Sequence, residues 1–335
     1  MLSCNTTGPL AKARVGFLLG AALMVHYTKP HLTVTDQVAL LQRRGLRVTD
    51  AAAAERALSR IGYYRLSGYW YPMRRPNPGG GRQDDFLAQA ALVDAVDLYV
   101  FDKKLRLLFL DAIERLEVAL RVALALQLGA SDPWFHRDPS KLDAKFTTAD
   151  RRTGRSKHDE WLSRLDASVG RSKEEFVRHF QSRYTSELPI WIAIELWDFG
   201  LLSHFVSGMA LRDRDRIAGQ MGLPRSSLLT SWVRAINDLR NICAHHGRLW
   251  NRVFISTPSL PRVGEIPSLD HLRNIQVIKL YAVAAVLRKM LLVINPGSQW
   301  HDRLKAHLQT FPQSPLLHMS STGFPIDWER LDLWN

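Results

Sequence analysis

Leu92-Val-Asp-Ala-Val-Asp-Leu-Tyr-Val-Phe-Asp-Lys-Lys-Leu-Arg-Leu-Leu-Phe-Leu-Asp-Ala-Ile-Glu-Arg-Leu-Glu-Val-Ala-Leu-Arg-Val-Ala-Leu-Ala-Leu-Gln-Leu128 contains neither proline nor glycine. Within it Leu105, Leu108, Ala112, Ile113, Leu116, Leu120 and Leu124 recur at the spacing that lines one face of a helix. Asp102 and Arg106, Asp111 and Arg115, and Glu117 and Arg121 stand one helical turn apart with the acid first, the favourable order on a helix surface. The stretch therefore reads as one long helix or two nearly collinear ones. No segment elsewhere alternates polar and apolar residues between hairpin turns, and no internal repeat is present. The expected fold is all-α.

Around this helix the punctuation predicts shorter ones. Thr33 opens a helix that stops at Gly45, and Asp50 caps another over residues 51–61. Tyr63-Tyr-Arg-Leu-Ser-Gly-Tyr-Trp-Tyr71 is rich in aromatics; with Arg65 these suit either base stacking or, as the preferred reading, a small core. Residues 74–85, with Pro76, Pro78 and three consecutive glycines, read as a linker. Residues 147–160 are basic and aperiodic and read as a mobile loop. Helical patterns resume near Trp161 and Glu174, at Leu188 to Gly200 with Pro189 in the first turn, and at Asp213 to Met221. Ser226 or Ser227 is expected to cap the next helix, and an apolar helix over Ile275 to Ile294 closes the bundle. The organisation expected is an extension at 1–23, a helical subdomain at 24–73, the linker at 74–85, the main helical domain at 86–295 and a C-terminal segment at 296–335.

Among 335 residues, 45 Lys and Arg against 32 Asp and Glu leave a formal charge of +13, which favours a polyanionic partner. Cys4 and Cys243 alone exclude a disulfide framework or a thiolate metal site within one chain, and a cytoplasmic location is expected. Lys12, Arg14 and the apolar run Val15 to Val25 imitate a signal peptide but are too short to span a bilayer. The preferred reading places the true start of the protein at Met24.

Chemistry concentrates in Asp238-Leu-Arg-Asn-Ile-Cys-Ala-His-His-Gly-Arg-Leu-Trp-Asn-Arg252. On a helix over residues 228–246, Leu229, Trp232, Ile236, Leu239 and Cys243 form the core stripe, which His246 would continue. Arg234, Asp238, Asn241 and His245 lie opposite, and Arg248 would join them if the helix survives Gly247. Asn241 stands one turn before His245 and is placed to hydrogen-bond its imidazole. Guanidinium groups hold phosphate and an imidazole moves protons near neutral pH, so the cluster suits RNA cleavage without a metal. Zinc-helix, phosphate-loop and serine-elbow motifs are absent, and no cofactor is expected.

Residues 27–33, 60–69, 105–121, 188–197 and the motif resemble, in this order and over about residues 27–294, the bacterial Abi-like proteins of abortive infection, of the AbiD and AbiF type. That family is placed in the HEPN superfamily, many of whose helical domains are ribonucleases marked by arginine, a polar residue and then histidine. The resemblance implies Arg240, Asn241 and a histidine, His245 or His246, as catalytic residues without choosing between the two; the helical-face count favours His245 and leaves His246 as second choice. It implies cleavage by 2′-hydroxyl attack, leaving a 2′,3′-cyclic phosphate, at a site formed where two motif helices face each other. A homodimer follows, with Arg234, Arg248 and Arg252 as RNA contacts. The expected function is a toxin-like RNA endonuclease of phage defence, restrained by an antitoxin RNA or protein and without membrane attachment. The alternatives are a non-catalytic RNA-binding protein and a protein-interaction module.

Overall fold

The computed structural model describes Thr28, residues 30–185 and residues 187–335. The proposed extension at 1–23, the signal-like run and Cys4 lie outside the described residues. Among the described residues three helices come first: α1 (Val34–Arg43), α2 (Ala51–Ile61) and α3 (Tyr63–Trp70). The Thr33 and Asp50 side chains accept N–H groups of the first turns of α1 and α2, as their positions suggest.

The stretch read as a linker is instead a hairpin. Strands β1 (Arg74–Pro76) and β2 (Arg82–Phe86) pair antiparallel, with Arg74 opposite Phe86. Gly80 and Gly81 supply the positive φ angles of 96° and 75° that the turn requires. The strand residues are mostly charged and lack period two, so no hairpin pattern appears in them. Tertiary contacts hold the strands: Arg44 and Arg74 both pair with Asp84, and Phe86 packs edge-on against the buried Trp70.

Helix α4 (Leu92–Gly129) is one unbroken element of 38 residues and the axis of the molecule. After it come α5 (Ala144–Thr147), α6 (Lys157–Arg171), α7 (Glu175–Arg183), α8 (Ile190–Ala193), α9 (Phe199–Gly208), α10 (Leu211–Gln220), α11 (Ser226–Ala244), α12 (Leu280–Ile294) and α13 (Trp300–Leu308). Helices α3, α8, α10, α11, α12 and α13 all pack on α4. One apolar cluster runs from Val38 to Trp334, so the N-terminal helices share the core of the main bundle.

Several boundaries differ from the sequence reading. The Leu188 to Gly200 helix breaks at Trp197, because Asp198 turns to cap α9 through the Leu201 N–H. A Ser156–Asp159 capping box starts α6 inside the stretch read as a loop. The apolar closing helix begins at Leu280, after a tight helical turn over Pro267–Asn274. Neither Ser226 nor Ser227 caps α11 by its side chain; Asp215 of α10 accepts the Ser226 N–H instead. The C-terminal segment closes the core, with Trp300 donating to the Leu108 carbonyl and Trp334 to the Tyr281 hydroxyl. No helix among the described residues is long and apolar enough to cross a membrane.

Candidate active site at the end of the motif helix

Helix α11 buries Leu229, Trp232, Ile236, Leu239 and Cys243, the stripe read from its sequence. Burial also pushes the Cys243 thiol pKa up, which makes it an inert packing group. The helix stops at Ala244, earlier than the face count assumed. His245 takes the C-cap position, and His246 enters the left-handed region at φ 56°. His246 is therefore exposed, not a continuation of the apolar stripe, and so is His245. Once helical geometry ends, position on the wheel no longer decides burial.

A buried hub fixes the chain beyond this stop. Asp102, read as half of a surface pair, has no exposure at all. Its carboxylate accepts from the Trp250 N–H at 2.8 Å, the Leu249 N–H at 3.1 Å, the Tyr69 hydroxyl at 2.8 Å and Arg106 at 2.5 Å. Every partner donates, the arrangement an ionised carboxylate meets. Burial pushes the Asp102 pKa up, opposed by the Trp250 amide, the Arg106 charge, the Tyr69 hydroxyl and the Leu249 amide. Burial is also the main cause that raises the Tyr69 pKa.

Arginines then bind the carbonyls of the same turn. Arg106 donates to the Gly247 carbonyl at 3.2 Å, and Arg65 of α3 donates to the His246 carbonyl at 2.8 Å. Arg248 turns inward to the Gly68 carbonyl of α3, half-buried, and burial lowers its pKa. The 246–250 turn is thus held from α3 on one side and α4 on the other. Tyr69 and Trp70 are buried and Tyr63 half-buried, so the aromatic segment mainly builds core; Tyr64 and Tyr71 remain exposed.

Arg240 and Asn241 are half-buried, and an Arg240 guanidinium N–H lies 3.5 Å from Asn241 Oδ1. Arg240 also faces the acid Glu117 of α4, whose pKa is raised by burial and held back by Arg121 and Arg240. Asn241 is tied to His245 through the backbone, its carbonyl accepting the His245 N–H at 3.0 Å. The amide-to-imidazole side-chain bond expected from the sequence is not formed among the described residues. Arg234 and Arg252 are exposed. The structure thus brings Arg240, Asn241, His245 and His246 to one helix end, turns Arg248 away, and leaves Arg234 more than two helical turns upstream of His245.

Sequence reading missed Asp102, Tyr69 and Arg106 as supports of this turn, and Arg65 as the group over His246. The one available signal was composition: a helix-building aromatic segment that also carries an arginine. No grouping of His, Cys, Asp and Glu suited to a metal ion occurs among the described residues.

The chain matches the family model described as Abi-like protein over residues 56–251. The chain belongs to the Abi-like family. The match begins in α2 and ends just after the pinned turn, so it takes in α3, the hairpin, α4 and the whole of α11. No curated protein and no solved structure matches the chain.

Proposed function

We propose that this Abi-like protein is a metal-independent RNA endonuclease of the HEPN type, acting in the cytoplasm as a toxin-like effector. Membership of the Abi-like family supports a role in phage resistance by abortive infection. The observation that carries the nuclease reading is the exposure of His245 and His246, at the end of the helix that carries Arg240, on a turn fixed by Asp102, Arg106 and Arg65. A rigid backbone under solvent-facing imidazoles is what proton transfer to and from ribose oxygens needs.

In this reading His245 moves the proton between the 2′-hydroxyl and the 5′-leaving oxygen. Arg240 stabilises the charge that builds on the phosphate, and Asn241 orients the approach. The 2′-oxygen attacks phosphorus, the P–O5′ bond breaks, and a 2′,3′-cyclic phosphate remains. Base and acid must act together, so two copies of α11 face each other in a homodimer, each supplying one His245. An RNA or protein antitoxin would restrain such an enzyme by covering this exposed helix end.

The test is incubation of labelled single-stranded RNA with the protein in EDTA. Wild type is expected to leave fragments ending in cyclic phosphate, and His245→Ala to slow this by at least about 100-fold. A larger loss with His246→Ala than with His245→Ala moves the proton-transfer role to His246. Intact RNA with retained binding overturns the nuclease and leaves an RNA-binding protein. Light scattering that finds only monomer, with and without RNA, refutes the shared site.

A further inference from the structure

Three adjoining hollows, of about 610, 670 and 570 Å³, run from the α5–α6 turn across α6 and α9 onto the flank of α11. They join through shared walls: Lys157 and Glu160 belong to the first and second, Thr230, Arg234 and Ser256 to the second and third. The result is one trough. It takes in the basic 147–160 stretch, which has no part in the histidine site.

The trough is cationic. Lys145, Arg152, Arg155, Lys157, Arg164 and Arg234 line it, with Arg214 at the far end, against Asp150, Glu160 and Asp238. Of the acids, Asp150 is turned to its own loop, where it accepts the Arg152 and Thr153 N–H groups at 2.9 and 3.0 Å. Arg164 lies 3.7 Å from Asp198, while the side chains of Lys145, Arg152, Lys157 and Arg234 make no hydrogen bond or ion pair among the described residues. Charged side chains left without partners along a concave wall favour an anion that follows the wall.

The lining also fits a nucleic acid chain better than a lone anion. Asn237 stands on the wall, its Oδ1 shielded from solvent and without a hydrogen-bond partner. Phe146 and Trp161 supply apolar floor beside the hydroxyls of Ser203, Ser207 and Thr230. His204, on the wall, has its pKa lowered by burial and then by Arg164 and Arg234, which outweigh Asp198.

The trough meets α11 at Asp238, seven residues before His245, or about 10 Å along the helix axis. A stacked strand rises about 3.4 Å per nucleotide, so about three nucleotides separate the histidine end from the trough. We propose that the trough is the track along which a single-stranded RNA leaves the histidine end, its phosphates held by Lys157, Arg164 and Arg234. The proposal rests on the RNA-binding part of the function above and not on cleavage.

Fluorescence anisotropy with His245→Ala protein, which keeps the RNA whole, tests it with labelled oligoribonucleotides of 3 and 12 nucleotides. The longer strand should bind at least about tenfold tighter, since each phosphate engaged releases counterions. Adding Lys157→Ala and Arg234→Ala should remove that advantage, lower the slope of log K against log salt by about 1.4, and leave the short strand unchanged. Lys157→Arg with Arg234→Lys should restore it, which a folding defect would not allow. Equal binding of the 12-mer with and without the alanine pair overturns the track, as does failure of the 12-mer to bind. Loss of cleavage in wild type with the length advantage intact removes the nuclease and keeps the track; cleavage without the advantage does the reverse.

Discussion

The end of α11 and the trough along its flank are both rich in arginine, and they use it in opposite ways. At the helix end Arg106, Arg65 and Arg248 are bound to backbone carbonyls, and Arg106 also to the buried Asp102. Along the trough, Arg152 and Arg234 project from the same fold with their guanidinium groups unpaired among the described residues. Guanidinium groups that close on the protein shape a backbone. Those left open shape an electric field. The same +13 excess thus contains a structural fraction and a binding fraction, and only the second should respond to salt.

The largest expected effect comes from breaking the closed side. Asp102→Ala leaves Arg106 buried without its partner and frees the Leu249 and Trp250 amides, at about 3–5 kcal/mol. Urea unfolding would read this as a lower midpoint at unchanged slope. Survival of full stability would show that the hub is not what holds the turn.

Acid sharpens the contrast behind the trough. His136 is wholly buried against Trp161 and Trp197, and burial lowers its pKa from 6.5 to about 3. Between those values the unfolded chain takes up a proton that the folded chain refuses. The stability is therefore complete above about pH 6.5 and is lost as the pH falls toward about 3, on the order of a few kcal/mol. Urea midpoints at pH 7 and pH 4.5 check it, and His136→Leu should reduce the fall. An identical fall in that variant would assign it elsewhere, with His271 and His307, also lowered by burial, next in line.

A smaller change is expected at Arg65. Arg65→Ala removes one charge-assisted bond at an exposed position, worth about 1 kcal/mol, and loosens the His246 carbonyl. Its mark should be a drop in the turnover of RNA with little change in melting temperature. Smallest of all is Arg234→Ala, whose effect on stability should stay within about 0.5 kcal/mol. A larger loss would place Arg234 with the closed arginines and remove the distinction.

The helical framework was legible because it depends on local chemistry. The uninterrupted leucine pattern of α4, the Thr33 and Asp50 caps and the apolar stripe of α11 each repeat at a period the backbone imposes. Arg240, Asn241, His245 and His246 could be placed together because they are close in sequence, the first two in the last turn of α11 and the histidines just beyond its end. Depth was not legible. The Asp102 and Arg106 pair has the same spacing and order as Asp111 and Arg115, yet one is buried and the other half-exposed. Only the chain packed above them makes the difference.

By itself the amino-acid order determined the all-α architecture, the long central helix and the identity of the polar cluster at the end of α11, since helix formation and amphipathic faces follow from neighbours in sequence. Tertiary structure decided where α11 stops, which arginines close on carbonyls and which stay open, and that a glycine- and proline-rich stretch pairs as a hairpin. Those outcomes depend on partners as far away as Arg65 and Asp102 are from Gly247 in the chain. Burial and long-range hydrogen bonding exist only after the helices have met.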